Sequence, residues 1–208
     1  MYTKNLLLKH KLVAIIRGAD PAKVPSVADA LYAGGIRALE ITMNSEAALE
    51  QIQKLSRRGG DLLVGAGTVT DRTEALAALE AGAQFIISPN TDIEVIRLTR
   101  NRGAVSIPGA YTPTEIVNAW KAGADIIKVF PAGSPQYIRD IRGPLNHIPI
   151  MPTGGVSLEN IAAFQNAGAV AFGIGSALVD SREQFSDGWL KKLEQRATQF
   201  VNALRDAE

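Results

Sequence analysis

Eight short apolar runs punctuate the chain at nearly even intervals. Four follow a small-residue glycine turn: "AGGIRALEIT" (33–42), "AGAQFIISP" (81–89), "AGADIIKVF" (122–130) and "AGAVAFGIG" (167–175). Four more lie between them: "KLVAIIRG" (11–18), "DLLVGAGTV" (61–69), "AVSIPGA" (104–110) and "IPIMPTGG" (148–155). Each is short enough to be a strand buried on both faces. Each turn glycine ends an amphipathic run, where a helix C-cap favours it. Helix starts are signalled too. Asp20-Pro21 offers an N-cap with proline at the first helical position. Asp71 with Glu74, Thr91 with Glu94, and Thr112 with Glu115 have capping-box spacing. The last helix carries Phe185, Trp189, Leu193, Phe200 and Leu204 on one stripe. Strand–helix alternation eight times over, with no linker or shift of composition, predicts an α/β fold: a single (β/α)8 TIM barrel, with residues 1–208 as one domain. A doubly wound open sheet is the alternative.

A barrel directs attention to the C-terminal ends of its strands, where active sites of this fold gather. The polar residues at those ends are Arg17, Glu40, Thr42, Asn44, Thr68, Ser88, Lys128, Thr153 and Ser176. Lys128 stands inside the apolar run "IIKVF". Burial disfavours an ammonium and so lowers its pKa, which yields a free amine able to attack a carbonyl. A lysine snorkelling from the strand end, or paired with a buried carboxylate, would have the same sequence signature. Glu40 in "ALEITM" is also inside a strand and suits proton transfer beside a lysine-derived imine. A Glu–Lys ion pair with no chemical role is the bland reading, although such pairs stabilise poorly compared with apolar packing.

Two further features suggest an anionic substrate. "PTGG" (152–155) and "GIGS" (173–176) end the seventh and eighth strands, where barrels frequently bind phosphate. Glycines there let backbone N–H groups approach an anion, with a following helix N-terminus adding its positive end. Tight turns would use the same glycines. Arg17 ends "IIRG" and could grip a carboxylate bidentately. Asn44 and Thr68 are uncharged donors left free for a ligand if Ser45 and Asp71 cap the helices that follow their strands.

Composition removes several classes of function. The 208 residues carry a net charge of +1, which gives no reason to expect a nucleic acid or a membrane surface as partner. There is no cysteine, so neither a disulfide framework nor a thiol nucleophile is available. The two histidines, His10 and His147, lie away from the strand ends, and no His/Asp/Glu cluster has metal-ligand spacing. Neither a metal nor another cofactor is therefore expected. The opening "MYTKNLLLKHKLVAIIRG" lacks a signal-peptide cleavage site, and no apolar run is long enough to span a bilayer, so a cytoplasmic protein is expected.

"LEIT", "VGAGTV", "ISPN", "IKVFPA" and "PTGG", in this order and spacing, resemble the 2-keto-3-deoxy-6-phosphogluconate (KDPG) and 4-hydroxy-2-oxoglutarate (KHG) aldolase family. The resemblance implies a class I aldolase on a (β/α)8 barrel, usually a homotrimer. Its substrate would be a phosphorylated keto-deoxy acid, cleaved to pyruvate and glyceraldehyde 3-phosphate, with cleavage of KHG to pyruvate and glyoxylate as a further activity. It also implies that Lys128 forms the Schiff base and Glu40 transfers protons. Thr68 and Thr153 would contact the pyruvyl group, Phe130 would line the pocket, and Gly154, Gly155 and Ser176 would meet the phosphate. One position departs from the family. Many members carry a carboxylate-binding arginine where this chain has Asn44, and Arg17 is the available substitute. "AIIRG", "NS" and "SPQYI" look more like the branch acting on 2-keto-3-deoxy-6-phosphogalactonate (KDPGal); "IPGAYTPTEI" and "MPTGG" look more like the phosphogluconate branch. Two other classes stay open: a sugar-phosphate isomerase or epimerase without covalent chemistry, and a non-catalytic binding barrel.

Overall fold

A computed structural model describes residues 2–205. All eight expected runs form strands, as β1 (Leu12–Ile16), β2 (Ala38–Thr42), β3 (Leu63–Gly67), β4 (Phe85–Ile87), β5 (Val105–Ile107), β6 (Gly109–Ala110), β7 (Ile127–Val129), β8 (Ile150–Pro152) and β9 (Phe172–Ile174). The described residues form nine strands because the fifth run breaks at Pro108, which has no N–H to donate to a ladder. Every pairing is parallel. One sheet runs β5-β4-β3-β2-β1-β9 and the other β6-β7-β8, with a single parallel bridge between Thr153 and Gly173. Neighbours in the sheet are neighbours in sequence, apart from β9 returning beside β1. The strand order never reverses, as it would in a doubly wound sheet. The result is a parallel α/β half-barrel.

Helices connect the strands: α2 (Val24–Ala33), α3 (Ala48–Ser56), α4 (Arg72–Glu80), α5 (Ile93–Asn101), α6 (Pro113–Lys121), α7 (Pro135–Arg142), α8 (Ile161–Asn166) and α9 (Asp187–Arg205). Thr112 and Glu115 make the expected capping box on α6. Asp71 accepts the Glu74 N–H, but Glu74 turns back to Thr70 rather than to the cap residue. Two expected starts are displaced. Asp20 closes a local turn on Ala22, and α2 begins at Val24 with Pro25 as its early proline. Asp92, not Thr91, caps α5; the Thr91 hydroxyl donates instead to the Gly109 carbonyl. Trp189, Leu193, Phe200 and Leu204 of the last helix are buried as the stripe requires, with Phe185 just ahead of the helix.

Strand residues alternate between two apolar layers. Leu12, Ala14 and Ile16, like Leu39 and Ile41, face the helices. Val13, Ala38, Leu63, Phe85, Val105, Ile107, Ile126 and Met151 face the opposite, inner side. There they meet Leu7 of α1 (Tyr2–His10), a helix the strand-centred reading did not anticipate. Fully burying side chains of this size contributes ~1.5–3 kcal/mol each. The inner face is therefore solid at the N-terminal ends of the strands. Period-2 alternation then carries the same face upward to Arg17 beyond β1, Glu40 and Thr42 on β2, Lys128 on β7 and Thr153 beyond β8.

Candidate active site

The strand ends surround a cavity of about 440 Å³ lined by Ile15, Arg17, Lys128, Phe130, Thr153, Gly173 and Gly175, with Gly154, Gly155 and Ser176 at its outer end. Of the ten residues expected at the site, seven line this cavity directly. Glu40 and Thr68 reach it through Lys128 and Arg17, as described below, and Asn44 does not reach it.

Lys128 is only 3% exposed and Glu40 only 1%. Burial is the largest influence on both. It pushes the Lys128 ammonium below its ordinary pKa, an effect the Arg17 charge adds to and the Glu40 charge opposes. It pushes the Glu40 carboxyl above its ordinary range, against the pull of Lys128 and Arg17. Neither group can then hold its full charge cheaply, so the pair is drawn towards a neutral amine and a neutral acid. Lys128 Nζ stands 4.8 Å above the Phe130 ring, which is itself 41% exposed and forms a wall of the cavity. Both Glu40 carboxyl oxygens and Thr153 Oγ1 are buried without a hydrogen-bond partner. Leaving such an atom unpaired costs ~1–3 kcal/mol, so each is open to a hydrogen bond from a ligand or water that enters the site. An amine poised to add to a carbonyl, an acid–base group and a hydroxyl together can carry out imine chemistry on a keto acid.

Glycine makes room for this arrangement. A Cβ on Gly67 would lie 1.6 Å from Glu40 Oε1 and 2.2 Å from its carboxyl carbon. A Cβ on Gly173 would lie 2.4 Å from Thr153 Oγ1. Sequence reasoning gave Gly67 no role and read Gly173, within "GIGS", as room for an anion rather than for the Thr153 side chain. "VGAGTV" was legible as a motif, but the space Gly67 yields belongs to a side chain on the neighbouring strand.

At the outer end, Gly154 and Gly155 have φ of +80° and +84°, where a side chain would be strained, and Asn160 holds the loop by donating to the Gly155 carbonyl. The regular helices α8 and α9 start later, at Ile161 and Asp187, but single helical turns open close to these glycines: the Leu178 and Val179 N–H groups donate to the Gly175 carbonyl, and the Ile161 N–H to the Ser157 carbonyl. The same rim carries Arg182, paired through two hydrogen bonds with Asp180. Those bonds hold the Asp180 carboxyl at about 2.

Arg17 extends over the cavity and donates to Thr68 Oγ1 at 3.1 Å. Thr68 has φ +56°, an unusual backbone conformation for a β-branched residue. Asn44 is exposed in the turn after β2 and does not line the cavity. Ser45 does not cap α3, whose N-cap is Ala47; it bonds the β1 end instead.

The family model described as "Aldolase: KDPG and KHG aldolase" matches residues 3–194. The chain belongs to the KDPG and KHG aldolase family. Within it, the chain is 35% identical over 203 residues to the 2-dehydro-3-deoxy-6-phosphogalactonate aldolase of Escherichia coli strain K12, covering 96% of this chain and 97% of that protein. It is 38% identical over 163 residues to the 2-dehydro-3-deoxy-phosphogluconate aldolase of Pseudomonas aeruginosa, covering 77% and 74%. A solved "Native KDPGal structure" matches with a TM-score of 0.88 at 34% identity, covering 94% of this chain and 95% of that one.

Proposed function

We propose that this family member is a class I aldolase that cleaves KDPG to pyruvate and glyceraldehyde 3-phosphate, with KHG cleavage to pyruvate and glyoxylate as a further activity. The observation that carries the proposal is the buried Lys128 amine facing an open cavity, with the unpartnered Glu40 carboxyl electrostatically coupled to it. Lys128 Nζ in its neutral form adds to C2 of the keto acid. Glu40 gives and takes the protons needed for the carbinolamine to lose water, leaving a protonated imine. Glu40, now a carboxylate, takes the C4 hydroxyl proton directly or through a water; the C3–C4 bond breaks, its electron pair flows into the imine to form an enamine, and the aldehyde departs. Glu40 returns a proton to C3, and water hydrolyses the imine to free pyruvate and Lys128. Arg17, Thr68 and Thr153 hold the carboxylate end, Phe130 lines the pyruvyl pocket, and Gly154, Gly155 and Ser176 receive the phosphate.

The proposal includes closure of the two sheets into a single-domain (β/α)8 barrel. Support comes from the strand order, the Thr153–Gly173 bridge and the chain continuing from β5 through Pro108 into β6. It also includes a cytoplasmic homotrimer, on the strength of the family resemblance. Among the described residues no helix is long and apolar enough to cross a membrane.

Arg17 also favours a second reading, cleavage of KDPGal, because the cation at the carboxylate end comes from β1 and not from position 44. Pyruvate release from KDPG, KDPGal and KHG under identical conditions tests the assignment. The highest kcat/KM is expected on KDPG. A preference for KDPGal would transfer the assignment to the C4 epimer, and no release from any of the three would overturn the aldolase reading.

A further inference from the structure

The ends of β1 and β2 are tied together by side chains that the proposed chemistry does not use. After Thr42 the chain turns tightly, closed by the Ser45 N–H donating to the Thr42 carbonyl at 2.9 Å. The Ser45 hydroxyl lies 2.8 Å from the buried Thr42 hydroxyl and accepts the Gly18 N–H at 2.9 Å. A serine oxygen has two lone pairs and one proton, so both bonds are made together. Gly18 directly follows Arg17, whose guanidinium donates to Thr68 on the other side of β2. Arg17 is exposed, yet it is fixed at both ends: its backbone through Ser45 and its guanidinium through Thr68. Thr42, the root of the tie, sits two residues from Glu40 on the same face of β2. The turn that carries Asn44 thus serves the β1 arginine through its next residue.

We propose that Ser45 is a positioning residue for substrate binding. It holds the Arg17–Gly18 backbone so that the guanidinium stands ready over the cavity for the carboxylate of the keto acid. The proposal rests on the carboxylate role assigned to Arg17. Because Ser45 acts through Arg17, its loss weakens binding and leaves the steps at Lys128 unchanged. Pre-organisation of this kind spares the ligand the ordering of a long side chain.

Steady-state pyruvate release and borohydride trapping titrated with pyruvate would be measured for Ser45→Ala, Ser45→Thr, Arg17→Ala and the Ser45→Ala/Arg17→Ala double variant. Arg17→Ala is expected to raise both KM and half-saturating pyruvate about ten- to a hundredfold, on the scale of a charge-assisted contact. Ser45→Ala is expected to raise them about three- to tenfold with kcat unchanged, on the scale of one neutral hydrogen bond. Ser45→Thr should restore the original values, and the double variant should match Arg17→Ala alone. If Arg17→Ala raises KM but Ser45→Ala does not, or if the two effects multiply, Ser45 does not act through Arg17 and the proposal fails. If Arg17→Ala itself leaves KM unchanged, the carboxylate reading falls first and takes the Ser45 proposal with it.

Discussion

Two carboxylates are buried among the described residues, and they are treated in opposite ways. Asp125, 5% exposed, lies just before β7; its carboxylate accepts from Arg100 at 2.6 Å and from the Ser106 N–H at 3.1 Å, with Lys4 of α1 3.6 Å away. Glu40, 1% exposed, accepts no hydrogen bond at either oxygen. Asp125 joins α1, α5 and β5 at the N-terminal end of the sheet, where the inner face is filled by Leu7, Phe85, Val105 and Met151. Glu40 belongs to the end that opens into a cavity. Asp125 is satisfied by the fold, whereas under the proposed function Glu40 is left for the substrate to complete.

The comparison breaks most easily at Glu40. Glu40→Gln should slow turnover by roughly 10²- to 10⁴-fold, the usual contribution of a positioned acid–base group, while pyruvate still binds. Gly67→Ala should produce a loss of the same kind, because the new methyl occupies the space of the Glu40 carboxyl. Placing Gly67→Ala on an Glu40→Ala background should remove most of its cost, since the clash is then gone. If Gly67→Ala leaves turnover intact, Glu40 does not need its present seat.

Asp125→Ala should do the reverse. It strands the Ser106 N–H and removes a charged hydrogen bond, a cost of about 2 kcal/mol in unfolding free energy. Arg100 and Lys4 are partly exposed and can return to water, which keeps the cost from being larger. Turnover per folded molecule should be unchanged, and chemical denaturation beside kcat measures both. A fall in kcat for this variant would erase the distinction between the two carboxylates.

The smallest expected effect is on stability at the open end. Lys128 has its pKa lowered in the folded protein, so between the folded and unfolded values the unfolded chain binds the extra proton and stability rises with pH. Below the folded value both states are protonated, and the penalty of burying the charge is complete. Lys128→Met on a Glu40→Gln background removes that penalty without depriving the Glu40 carboxyl of its partner charge, and should raise stability by ~1 kcal/mol at neutral pH relative to Glu40→Gln alone, although turnover is lost. A loss of stability in that comparison would assign the lysine to the fold.

Much of this was legible before any coordinates. The eight strands announced themselves as apolar runs of the right length, and Lys128 and Glu40 as charges inside two of them. α1 was not anticipated, since its buried contribution among the described residues is Leu7 alone and its packing depends on the distant inner face. The starts of α2 and α5 were displaced because Asp20 found a local partner in Ala22 and Thr91 a distant one in Gly109 of β6. Asn44 was grouped with the site by its place after β2; a tight turn carries it away. Gly67 and Ser45 act on side chains and backbone of neighbouring strands, so their surroundings in sequence, a motif glycine and a cap candidate, do not reveal those roles.

The most direct measurement is borohydride reduction in the presence of pyruvate, followed by mass mapping, at several pH values. The adduct should fall on the peptide containing "IIKVF", and should be absent from Lys128→Met. Its rate of formation should rise with pH towards a plateau reached below the usual lysine pKa of about 10.4, because the neutral amine is the reactive form. No adduct from folded protein at any pH, or an adduct on a different lysine, would contradict the account.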